Sequence, residues 1–64
     1  MEILKLLELA IKAEAAATRR YAEGAKLAED TETRLMFEEL AAEEASHEKK
    51  LKERLIAIKL LRNQ

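Results

Sequence analysis

The chain has no cysteine, no proline, a single glycine at Gly24 and two aromatic residues, Tyr21 and Phe37. Without cysteine, no disulfide scaffold, zinc ribbon or iron–sulfur cluster can be built from these residues, so any metal must be held by Glu, Asp and His. Without proline and with one glycine, a turn-rich β fold lacks its punctuation. Long apolar runs are missing too. None approaches the ~18 residues of a membrane span, so no membrane partner is expected. The start, Met1-Glu2-Ile3-Leu4-Lys5, lacks the charged n-region and cleavage site of a secretory signal, and a cytoplasmic location is the expectation. Twelve basic residues against thirteen acidic ones leave a net charge of −1 with no dense basic cluster, which argues against a nucleic acid partner.

What remains is a helix-forming composition. Ala, Glu, Leu, Lys and Arg supply 47 of the 64 residues, and all five favour helices, so the fold class is all-α. The one credible break is Ala28-Glu29-Asp30-Thr31, where Asp30 and Thr31 compete with the backbone for hydrogen bonds and favour N-caps. The single domain therefore divides into a helix over about residues 2–28, a turn near 30 and a helix over about 32–62. Each is roughly 40 Å long at about 1.5 Å per residue. Gly24 costs about 1 kcal/mol against Ala inside a helix, and close helix packing is the expected compensation. A chain this short closes a core only marginally by itself, so a partner is expected.

The first helix carries Ile3, Leu7, Ala10, Glu14, Ala17, Tyr21, Gly24 and Ala28 at alternating steps of four and three. The second answers with Phe37, Leu40, Glu44, His47, Leu51, Arg54, Ile58 and Leu61, with Leu55 available where the seam drifts. Leu4, Leu6, Ile11, Ala13, Ala25, Met36 and Ala41 widen both stripes to the face of a bundle helix. Two such hairpins, paired as a homodimer, complete an antiparallel four-helix bundle.

Glu14, Glu44 and His47 stand where this pattern favours Leu. An unpaired carboxylate in an apolar seam costs several kcal/mol, about enough to exclude it unless something compensates. A turn centred at residue 30 sets residue 14 opposite residue 46, the level of Glu44 and His47, so the three converge. Glu44 and His47, three apart, project from one helix face. The level is also the middle of the hairpin, and a two-fold axis there, perpendicular to the helices, brings two triplets together. Four carboxylates then balance two divalent cations, and the mixed oxygen and nitrogen donors suit iron or manganese, with zinc also able to bind.

These residues resemble a known family. Glu14 with Tyr21 seven residues on, followed by Glu44-Ala45-Ser46-His47, is similar to half of a ferritin-like domain of the rubrerythrin type. The phrases Tyr21-Ala22-Glu23-Gly24-Ala25-Lys26-Leu27-Ala28-Glu29-Asp30 and Phe37-Glu38-Glu39-Leu40-Ala41-Ala42-Glu43-Glu44 extend the likeness, which covers about residues 7–55. Encapsulated ferritins are similar in another way, since they supply one helical pair and build the site between subunits. The resemblance implies a di-iron centre of about two irons per dimer with Glu14, Glu44 and His47 as ligands. It also implies oxidation of Fe(II), or reduction of dioxygen or peroxide, by a ferroxidase- or peroxidase-like oxidoreductase. Position 17 is Ala, where rubrerythrins carry an extra carboxylate on one half, so a plain six-ligand site is implied.

A reading from another class stands beside this one. The same triplet can form a buried polar network that fixes register in a structural dimerisation module, or in a designed or reconstructed bundle, with no redox activity. Tyr21 leans toward the helix N-terminus and so toward Glu14, where it is either a core aromatic or a hydrogen-bonding neighbour of the ligands. Arg54 is expected to snorkel outward, and Glu38, Glu39, Glu43, Glu48, Lys49, Lys50 and Lys52 to form a solvated face. Glu48 is the one outer carboxylate near enough to approach the site. Leu9, Ile56 and Leu60, off the seam, point to contacts beyond the dimer.

Overall fold

A computed structural model describes residues 1–63 as two antiparallel helices, α1 (Ile3–Leu27) and α2 (Thr31–Arg62), packed along their length in a rod of 52 × 18 × 12 Å. The ends fall within one residue of those expected from sequence. Glu2 caps α1, its side chain accepting from the Lys5 backbone N–H at 3.2 Å. Asp30 caps α2 by accepting from the Thr33 N–H at 2.9 Å, which supplies one of the first-turn donors with a partner. Both caps hold their carboxyls below the usual carboxylate range. For Glu2 the chief cause is the hydrogen bond from Arg62, and for Asp30 that from Thr33. The connection Ala28-Glu29-Asp30 turns without any residue at positive φ.

Gly24 performs the task expected of it. A Cβ built there would lie 2.9 Å from Cγ and Cδ1 of Phe37, so the absence of a side chain on α1 is what lets the aromatic ring of α2 seat against the backbone. Tyr21, one turn earlier, stacks on the same ring, with centroids 6.2 Å apart and planes 29° from parallel. At the opposite end of the rod, Arg62 donates to Glu2 at 2.7 Å and ties the end of α2 to the start of α1.

The α2 seam departs from the expected alternation. His47, Arg54 and Leu61 are exposed, whereas Glu48 and Leu55 are half-buried. A regular α-helix drifts about 20° per heptad against a 3.5-residue repeat, so over 32 residues the facing positions move by one. Glu48 therefore leaves the solvated face assigned to it and pairs with Lys52 at 2.7 Å. Ile3, expected on the α1 seam, is 45% exposed. None of the described residues is fully buried within one hairpin, and large apolar side chains stay open at both ends, among them Leu27 and Met36 near the turn and Leu60 and Leu61 at the other. No helix among the described residues is long and apolar enough to cross a membrane.

Candidate metal centre

The hairpin brings Glu14, Glu44 and His47 together. One donor atom from each lies within 4.8 Å of the other two, at mid-length of the rod. Glu14 is set by α1 and the other two by α2, where their three-residue spacing aims both side chains at the same level of the facing helix. His47 Nδ1 stands 3.3 Å from Glu14 Oε2 and 3.5 Å from Glu44 Oε1. The carboxylates are largely covered, at 26% and 21% side-chain exposure, while the imidazole is 53% exposed. The triplet thus sits at a rim, with its acids turned inward and its imidazole facing the uncovered side.

The electrostatics are strained. Glu44 is held above the usual carboxylate range, first by its hydrogen bond with Glu14, then by partial burial and by the negative charge of Glu14, with His47 opposing. Between two ionised carboxylates there is no proton to share, and Glu14 Oε2, buried, has no hydrogen-bond partner despite the nearby imidazole. A proton on Glu44 gives the pair one donor; a cation would satisfy both acids and the orphan oxygen together. Two carboxylates and an imidazole nitrogen are donors that divalent first-row metals accept, so the residues fit one half of a di-metal site.

Of the remaining residues read from sequence, Tyr21 is committed to Phe37, and among the described residues no hydrogen bond joins its hydroxyl to Glu14. Glu48 points its carboxylate at Lys52. One neighbour escaped the sequence reading. Thr18 donates its hydroxyl to the Glu14 backbone carbonyl at 3.0 Å, anchoring the turn of α1 that presents the Glu14 side chain. A Thr four residues after a candidate ligand is the only signal that would have marked it.

Comparison with known proteins agrees with this geometry. A model of the family described as rubrerythrin matches residues 5–63, nearly the whole chain. No curated protein and no solved structure matches. The chain belongs to the rubrerythrin family.

Proposed function

We propose that this member of the rubrerythrin family is one half of a di-metal carboxylate centre, completed when a second copy of the chain lays its own Glu14, Glu44 and His47 against the first. The observation that carries the reading is the buried Glu14 oxygen without a partner, beside a Glu44 carboxyl held above the usual carboxylate range and an imidazole open to the uncovered side. In one hairpin this arrangement is incomplete: three donors cannot satisfy a metal that keeps more positions, and the apolar stripes remain half-exposed. A second hairpin supplies the other donors and covers the stripes. Iron is the expected metal, about two per dimer, with manganese or zinc able to occupy the same donors.

Iron or manganese bound there would supply one-electron redox chemistry toward dioxygen or peroxide, with Fe(II) as the substrate oxidised in a ferroxidase role, whereas zinc would supply none. The chain's own residues do the rest. Glu14 and Glu44 would supply negative charge and oxygen donors, and a cation would take the place of any proton that Glu44 carries. His47 contributes the nitrogen. Tyr21 and Phe37 pack the seam on the turn side of the site.

A second reading draws on a hydrogen bond between the two carboxyls with one of them protonated, which would hold Glu14 and Glu44 in register without any metal. Metal analysis of untagged protein decides between them. About two tightly held iron or manganese ions per dimer, lost in Glu14→Ala and in Glu44→Ala, support the metal centre. A dimer that binds none is a register device.

A further inference from the structure

The outer edges of the two helices carry charges of opposite sign at one period. On α1, Lys5, Lys12, Arg19 and Lys26 recur at steps of seven, and all four are exposed. On α2, Glu32, Glu39, Ser46 and Glu53 recur at the same step and are likewise exposed. A step of seven returns to nearly the same side of a helix, drifting by about 20° each time. Neither row lies where the helices meet, a side marked on α1 by the half-buried Leu7, Ile11 and Tyr21 and on α2 by Phe37, Leu51 and Leu55. Nothing within the hairpin uses the rows. Arg34 pairs with Glu38, Glu48 with Lys52, Arg62 with Glu2 and His47 with its two carboxylates, so among the described residues no row charge has an ion-pair partner.

The rows also agree in height along the rod. Tyr21 stands at the level of Phe37, and Glu14 at that of Glu44. Counting outward from them along antiparallel helices sets Lys5 level with Glu53, Lys12 with Ser46, Arg19 with Glu39 and Lys26 with Glu32, within about one turn. Between the charges, Ala16 and Ala42 share a level and are small enough for close approach. Glu23 and Lys49, the charges of the other sign beside each row, come level with Leu35 and Leu9 rather than with each other. Leu9 on α1 and Leu35 and Ile56 on α2 are 41%, 50% and 58% exposed, all off the seam. A solvated face accounts for exposed charges of mixed sign. It does not account for one sign on each edge at matching levels.

We propose that the α1 edge of one hairpin docks on the α2 edge of another copy, side by side, with the turns at the same end and no shift along the rod. Lys5, Arg19 and Lys26 then face the partner's Glu53, the partner's Glu39 and the partner's Glu32. A helix crossing of about 20° keeps both rows in contact over the roughly 32 Å from Lys5 to Lys26. The contact lies outside the apolar seam, so it neither uses nor requires the shared metal centre. Because two different edges meet, each copy keeps one free edge of either sign, and assembly continues into an open row or closes as a ring. Exposed ion pairs contribute little each, and a strip one helix wide covers less than the roughly 800 Å² per partner of a stable interface. The contact is therefore weak. It forms at high local concentration, with its register and salt dependence set by the charges.

The chain has no cysteine, so introduced thiols report proximity cleanly. Ala16→Cys with Ala42→Cys in one full-length chain keeps every row charge and puts one thiol on each edge. A short bismaleimide at low salt should give a covalent ladder that includes trimers and longer products, and high salt should suppress it. Products that stop at dimers, or a ladder indifferent to salt, overturn the edge contact. In the same background, Lys5→Glu with Arg19→Glu should cut the trimer yield at least about tenfold. Adding Glu39→Lys with Glu53→Lys exchanges the signs of the two edges and should restore it. Lys52→Glu with Lys59→Glu makes the same change of net charge away from both rows and should leave the ladder intact. An equal loss in that control, or no recovery on exchange, sinks the proposal. Metal content, read on the same samples, reports the shared centre separately: metal bound without a ladder overturns the edge contact alone.

Discussion

Two levels of the rod, only a few turns apart, meet the same packing problem in opposite ways. Near the turn, Gly24 withdraws its side chain, Phe37 fills the space and Tyr21 stacks beside it, so the level is closed by the chain's own atoms. At mid-length, Glu14 and Glu44 crowd one another, an oxygen is left without a donor, and His47 stands at the surface. The first level stabilises the hairpin whatever is bound. On the proposed reading the second gains stability from what binds it, which is how a binding site would differ from a core built on the same seam.

The strongest way to break the comparison is at the ring. Phe37→Ala should cost about 3 kcal/mol of unfolding free energy, by loss of burial and the cavity left behind. The loss should be the same in chelator and in Fe(II) or Mn(II). A metal-dependent loss would mean that the two levels are not independent. Next in size is linkage at mid-length. Metal at a free concentration about a hundred times its Kd should raise stability by about 2.7 kcal/mol, seen as a higher melting temperature than in chelator. Glu44→Ala should remove that difference, and His47→Leu should remove it while leaving the metal-free protein at least as stable.

Gly24→Ala sharpens the first level. The methyl gains about 1 kcal/mol of helix propensity but meets the stiff base of the Phe37 ring at 2.9 Å, an overlap that costs typically 1–3 kcal/mol, so a net loss of about 1 kcal/mol is expected in chemical denaturation. A stabilised variant would show that the ring moves freely. The smallest effect is that of pH on the metal-free protein. Glu44 binds its proton more tightly folded than unfolded. Its contribution is therefore fully present below the ordinary carboxylate pKa and is lost as pH rises through the raised value. Metal-free protein should lose stability across that interval. Glu44→Gln, which cannot ionise, should flatten the loss, whereas an unchanged profile would place the titration elsewhere.

Much of this was legible in the sequence because it depends on arithmetic that helices obey. The break at Asp30 located the turn, and from it the levels of Glu14, Glu44 and His47 followed by counting. Gly24 announced a close approach because a lone glycine in a helix otherwise has no gain to offset its cost. What could not be read was which atom would approach. The Phe37 ring answers Gly24 through the rotation of α2 about its own axis, and a residue spacing does not specify rotation. The same freedom let the α2 seam slip from Arg54 to Leu55 and gave Glu48 to Lys52. Family likeness suggested the chemistry proposed for the triplet, while the bond from Thr18 to the Glu14 carbonyl needed coordinates, since many Thr residues in helices make the same bond with no site nearby.

The clasp between Glu2 and Arg62 places the first and last turns of the chain at one end of a 52 Å rod. For a gene that fused two copies, that is a constraint on distance. In the antiparallel bundle expected from sequence, the end of the first copy and the beginning of the second would stand at opposite ends. A tether between them must run the whole length, about 16 residues if fully extended and about 35 if helical. A short flexible joint would instead force the second copy to pair the other way round. If two hairpins pair as expected from sequence, covalent duplication would keep that orientation only with a long crossover, and linker length would become a heritable switch between two bundle topologies.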